Sequence, residues 1–459
     1  MAKTNPSLYE NIEAFDLDQP LSDYTLSLRL AKENFWTREF TRRAIAEYKK
    51  FMYMAAISNE MVSPSKVVDV VWHEHITATQ KYAEFCSVLG KQVHHVPSSR
   101  SRFDAERFQR ARDFTKQLYQ KEFGTPPKDV WEFDTMYDSL QLPKARFKIR
   151  SFIVVGLLAA MMLLMPLYSA LFPIYAQLSS DDFFAIYISA WVVMFVGLAM
   201  FNSARFKAML SKFDKTSFAF SLSPGELIYL RKTQTDHIVH PAVNRMVEKG
   251  LVKVNKDQSL SVGEGVEAAD AEEYAVIQRL RDKSVTYSAL LPLVSRQPVF
   301  ANVENSMNAF EKYIVKSKAF GGIFYVNFAA IILMMLPGAA RILTGLHREK
   351  PVVLIVFFMI IVLVVSMIFL HRLSRRLTRR VLPAYYKDKL SAEQRAGFEW
   401  QYFLRDGRNV GYVPAFAPVM VTYTALQNAS GDSGSSDSGS SSSCGSSCGS
   451  SCGGCGGGD

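Results

Sequence analysis

Between Trp72 and His95 the chain places His73, His75, Cys86, His94 and His95, half of its eight histidines and its one cysteine outside the C-terminal tail. Neutral imidazole and thiolate are the usual ligands of zinc, so this run is a candidate site for zinc or another transition metal. On one helix, His75, Thr79, Tyr82 and Cys86 share a face, because the steps are four, three and four. His75 and Cys86 are nevertheless about 16 Å apart along such a helix, and His73 and His75 point about 200° apart around it. After Gly90, five extended residues can return about 16 Å and bring His94 or His95 to the level of Cys86. Two ligand sets follow: Cys86 with His94 and His95, or one of His73 and His75 with ligands from other helices. In the competing structural reading, Trp72, Ile76, Tyr82 and Phe85 are core and the histidines bond to neighbours such as Asp69 or Glu74. A second group of soft ligands, Cys444, Cys448, Cys452 and Cys455, is spaced four, four and three in a Gly/Ser-rich tail. Such a tail can wrap a soft ion, but its spacing is not the paired pattern of a zinc ribbon.

The elements that must position these residues read as helices. Tyr24 to Ser58 has apolar residues at spacings of three and four and no Pro or Gly, so one helix is expected there. Ser63–Pro64 reads as the next helix start, with Ser63 as cap, and the helix runs from Ser65 to about Leu89 with Gly90 as its stop. A further helix, Arg102 to Phe123, closes at Gly124, Pro126 and Pro127.

The run Ser63-Pro64-Ser65, Asp69, Trp72-His73-x-His75, Thr79, Tyr82, Phe85-Cys86, then His94-His95-x-Pro97, resembles the Trp-His-x-His signature of the glycine-rich-domain-containing-protein-like family. The resemblance covers roughly residues 30–135. It implies a helical domain and brings no established enzymatic activity.

Four apolar runs, 153–176, 183–201, 323–346 and 352–370, each have the roughly 20-residue length that crosses a hydrocarbon core. Short polar links join them as two hairpins. The only ionisable side chain within the runs is Arg341, close enough to its helix end to snorkel, so no transport path is indicated. The N-terminal stretch has charges but no apolar core, unlike a secretory signal.

The net charge of +10 has a location. Lys144, Arg146, Lys148 and Arg150 precede the first run. Arg205, Lys207, Lys212 and Lys215 follow the second, and Arg372, Arg375, Arg376, Arg379 and Arg380 follow the fourth. Basic flanks face the cytoplasm, which puts both termini and the central segment there, in a cell's inner membrane. Residues 1–143 hold 19 basic against 20 acidic side chains, and residues 216–318 hold 13 against 12. Neither segment has the basic excess that phosphate neutralisation requires, so no nucleic acid is expected.

In the central segment, Ser223-Pro224-Gly225-Glu226 is a capping box opening one helix. A second helix starts near Thr235 or Asp236, and 251–254 with 259–262 read as a hairpin. This order is similar to a winged-helix unit, and the neutral charge balance favours protein interaction over DNA. Residues 145–459, with a winged-helix-like unit between two hairpins and a Gly/Cys tail, resemble a group of uncharacterised bacterial membrane proteins.

The expected architecture is mainly α: a polytopic membrane protein with about four transmembrane helices in two hairpins. Its parts are a helical domain (1–143), a first hairpin (144–204), a winged-helix-like domain (205–318), a second hairpin (319–372), a C-terminal segment (373–429) and a disordered Gly/Ser/Cys-rich tail (430–459). With no phosphate loop, nucleophile elbow or paired-carboxylate motif, the leading expectation is a non-enzymatic, membrane-anchored protein. Its cytoplasmic domains bind other proteins, with a regulatory metal as a further feature. The alternative is a metal-dependent enzyme or metal-handling protein using the residues at 73–95 and the tail cysteines.

Overall fold

Helices begin where short polar side chains take over free amide groups. Thr37, Ser65, Ser179, Ser223, Asp270 and Ser317 each accept a hydrogen bond from the backbone N–H three residues on. The computed structural model describes residues 3–96, 102–281 and 283–431 and is mainly helical. The tail cysteines Cys444, Cys448, Cys452 and Cys455 lie outside the described residues.

Two helices expected as single pieces are each divided. The first splits into Leu26–Asn34 and Arg38–Ile57. Asn34 donates its side-chain amide to the Leu30 carbonyl, Phe35 adopts the left-handed conformation (φ 54°), and Thr37 recaps the chain. The second splits into Lys66–Thr77 and Thr79–Leu89 at Ala78 (φ −87°, ψ 65°). There the Thr77 hydroxyl donates to the Glu74 carbonyl and the Ala78 N–H takes the carbonyl of His75, three residues back, so the ladder breaks. The cap of this pair is Ser65, not Ser63. The Ser63 N–H instead donates to the Thr115 hydroxyl and ties the segment to the helix Arg102–Phe123.

Four helices are long and apolar enough to cross a membrane: Ile149–Gln177, Ser180–Leu210, Lys318–His347 and Val353–Ser374. The first packs along the third, and the third also packs on the second and fourth. Where the second, third and fourth meet, Gly338 admits the Tyr187 hydroxyl and the Met359 sulfur, each 2.5 Å from where a Cβ would stand. The Tyr187 hydroxyl donates to the Met334 carbonyl at 2.7 Å. Arg341 reaches sideways rather than along its helix. Its guanidinium donates to the Tyr175 and Leu178 carbonyls, and Arg348 donates to that of Ala176. Two cations thus cap the carboxyl end of the first span, the negative pole of its dipole. Asn202 and Asn327, both fully buried, exchange side-chain amide hydrogen bonds between the second and third spans.

The remaining helices and a small sheet form one body with a continuous core. Tyr48, Phe51, Leu227, Val243, Phe310, Leu382 and Phe403 all belong to it. In the central segment the helices Pro224–Lys232 and Asp236–Glu248 lead into strands Val252–Val254 and Ser259–Val262, antiparallel with Lys253 opposite Ser261. A third strand, Val285–Thr286, joins the second on its free side. After the fourth span the backbone passes through a π-helical turn, Leu377–Val381. Glu311 binds the Thr378 hydroxyl at 2.9 Å and lies within ion-pair distance of Arg375 and Arg379, so part of the arginine-rich flank is locked onto the body.

Candidate metal centre

Asp69 and His73 are four residues apart on Lys66–Thr77, one helical turn, so both side chains leave the same face. His95 comes from the loop after Gly90, whose φ of 67° ends the neighbouring helix. The break at Ala78 folds that helix back beside the first, which carries the loop home to the level of Asp69. His95 Nε2 lies 3.0 Å from Asp69 Oδ1, and His73 Nε2 lies 3.7 Å from Asp69 Oδ2. The two imidazole centroids are 4.3 Å apart.

One ligand atom from each of Asp69, His73 and His95 lies within 4.8 Å of the others. Around a tetrahedral ion with bonds of about 2 Å, ligand atoms stand roughly 3.3 Å apart, a spacing this group approaches. Two imidazoles and one carboxylate suit zinc or a divalent iron-group ion. The His73 side chain is 60% exposed and that of His95 21%, which leaves coordination positions open to solvent.

A polar relay holds the loop in place. Trp72 Nε1 donates to the Tyr82 hydroxyl at 3.1 Å, and that hydroxyl donates to the Val93 carbonyl. Trp72 also meets the His95 ring edge-on at 4.8 Å. Lys91 donates to the carbonyls of Ala55 and Ser58 at 3.0 and 2.9 Å, anchoring the start of the loop. Beside the cluster is a cavity of about 340 Å³ whose lining includes Asp69, Trp72, His94, His95, Lys66 and Phe108.

The other sequence candidates are placed elsewhere. His75 is 1% exposed and its Nδ1 lies 2.8 Å from the Tyr48 hydroxyl, packed among Tyr82 and Phe85. Burial pushes its imidazole down to about 4 and raises the Tyr48 phenol well above its ordinary range. Cys86 is buried in the same core. His94 is exposed at the cavity mouth and outside the cluster. Among the described residues, Asp69, His73 and His95 are the one group of three or more such side chains so gathered. The set of Cys86 with His94 and His95 is therefore not assembled, because Cys86 faces inward and the loop returns past it to Asp69. The sequence pattern suggests Asp69 only as a hydrogen-bonding neighbour of the histidines; its i, i+4 spacing from His73 is the signal for a candidate ligand. Glu74, the other neighbour considered, pairs with Arg29 at 3.1 Å.

A protein-family profile described as UCP032817-like matches residues 12–113, the stretch that holds all three side chains. No curated protein and no solved structure matches the chain.

Proposed function

We propose that this is a membrane-anchored regulatory protein whose soluble body binds partner proteins under the control of a transition metal held by Asp69, His73 and His95. The convergence of those three side chains from a helix and a loop 22 residues further on carries the reading. A metal there would cross-link the loop to the helix and, with its half-exposed ligands, exchange readily with solution, as a sensor requires rather than a structural site.

The basic flanks of the spans support a cytoplasmic placement of the soluble body at a cell's inner membrane. Two helices followed by a small antiparallel sheet support a winged-helix-like reading of the central segment. Its near-neutral charge favours protein partners over nucleic acid. The spans contact the lipid bilayer and serve as anchors. The resemblance of residues 30–135 to the glycine-rich-domain-containing-protein-like family, which implies a helical domain with no established enzymatic activity, fits this reading. A second reading, a metal-dependent enzyme, rests on the open coordination positions beside the 340 Å³ cavity.

The test is elemental analysis of the full chain purified in detergent. About one transition-metal ion per chain is expected, lost on His73→Ala or His95→Ala and retained on Cys86→Ser. Absence of bound metal in the parent protein, even after incubation with zinc, overturns the proposal. Retention in both histidine variants would do so too.

A further inference from the structure

A cavity of about 400 Å³ lies where the N-terminal, central and C-terminal soluble segments meet. Its apolar lining includes Trp36, Ile228, Ile238 and Phe300, all buried or nearly so. This size and lining fit a small organic ligand rather than a few waters.

The charges around it are unbalanced. Asp16, Asp18, Glu226, Asp270, Glu272 and Glu399 line the cavity, against Arg38 and Arg42. Both arginines are already engaged: Arg38 pairs with Glu272 at 2.5 Å, and Arg42 pairs with Glu39 at 2.6 Å. Arg245 accounts for Glu272 and Glu399, each at 2.5 Å. Glu226 is satisfied by the backbone N–H groups of Arg38 and Ser223, at 2.9 and 2.7 Å. Asp16, Asp18 and Asp270 are left. Each accepts one backbone N–H, from Asp18, Ser27 and Glu273 respectively; among the described residues none has a cation within ion-pair distance, while Lys49 lies in electrostatic reach of Asp16 and Asp18, and Arg38 and Arg245 of Asp270.

From this pairing we infer that the inter-segment cavity binds a small amphipathic cation, an amine or quaternary ammonium on an apolar body. The apolar part packs on Ile228, Ile238 and Phe300. The cationic head is drawn to the acidic excess at Asp16, Asp18 and Asp270, and Trp36 adds an aromatic wall to the same cavity. An anionic ligand is disfavoured because every guanidinium at the cavity is committed to a carboxylate. Since all three soluble segments contribute to the wall, such a ligand would also hold them together.

The probe is 4-phenylbutylamine, with 5-phenylvalerate as its anionic match, titrated calorimetrically against the full chain in detergent. The amine is expected to bind, more weakly at high salt, while the carboxylate does not. The triple variant Asp16→Asn, Asp18→Asn, Asp270→Asn keeps each backbone bond, since asparagine accepts and caps as aspartate does, and should weaken the amine about tenfold or more. Ala31→Phe, which fills the cavity from its wall, should abolish binding while the triple variant retains its fold by circular dichroism. Equal binding of amine and carboxylate overturns the inference. So does no amine binding at about 1 mM, or an unchanged affinity in the triple variant. Because Asp69, His73 and His95 are untouched, metal content is independent of every outcome.

Discussion

Asn202 and Asn327 face each other across two of the long apolar helices, each amide donating to the other's oxygen at 2.8 and 2.7 Å, and neither side chain is exposed. Asn327 also donates to the Ile323 carbonyl of its own helix at 2.7 Å. Because both side chains are buried, the alternative to this exchange is an unpaired amide, so the pair fixes the rotation of the two helices.

Replacing one asparagine by leucine should therefore cost more than replacing both. A single Asn202→Leu or Asn327→Leu is expected to lose about 1–2 kcal/mol, and the double variant to recover part of that loss. A double-mutant cycle on unfolding in detergent measures the coupling. Strictly additive losses would show that the two amides act independently.

The Tyr82 hydroxyl bridges Trp72 to the Val93 carbonyl and so stands behind the candidate metal centre without touching it. Tyr82→Phe should accelerate tryptic cleavage after Lys91 and weaken zinc binding about tenfold, with the ligands themselves intact. Unchanged cleavage and unchanged affinity together would remove the relay from the account.

Two buried histidines make stability acid-sensitive. Burial lowers His75 to about 4 and His240 to about 3, from an ordinary value of 6.5. In the unfolded chain both regain their ordinary basicity, so between these values the unfolded state binds more protons. Stability is fully present above about 6.5 and falls as the pH drops through the window below it. The slope is on the order of 1.4 kcal/mol per pH unit for each histidine. Thermal midpoints recorded from pH 7 to pH 4 should fall less steeply in the variant His75→Gln, His240→Gln, whatever its absolute stability. A parallel fall in parent and variant would assign the acid sensitivity to other groups.

The proposed orientation has a direct check. Reporters active only in the cytoplasm, fused after Arg150, Lys215 and Arg380, should all be active. Inactivity at Lys215 would break the arrangement of two hairpins with the central segment on the same side as the termini.

The apolar helices were legible because hydropathy is a local property: about 20 apolar residues in sequence are themselves the feature, and each observed helix covers one of the expected runs to within a residue. The same holds for the capping box at Ser223 and the hairpin ending at Val262, where neighbours in sequence are partners in space. The third strand, Val285–Thr286, is two residues long and carries no alternation to read; only its partner at Ser259–Leu260 defines it.

The histidine-rich run shows where sequence stops. Residue types placed the chemistry between Trp72 and His95, but which side chains meet depended on two chain reversals. One is at Gly90, where glycine announces a stop. The other is at Ala78, where a threonine hydroxyl competes for a helix carbonyl and nothing in the periodicity marks it. With the helix broken there, His95 returns to Asp69 and His73 while His75 and Cys86 turn into the core. The four apolar helices and the run of candidate ligand residue types thus belong to the sequence by itself. The ligand set, the asparagine pair and the three-segment cavity exist only once distant pieces pack, because each depends on side chains brought together by burial elsewhere.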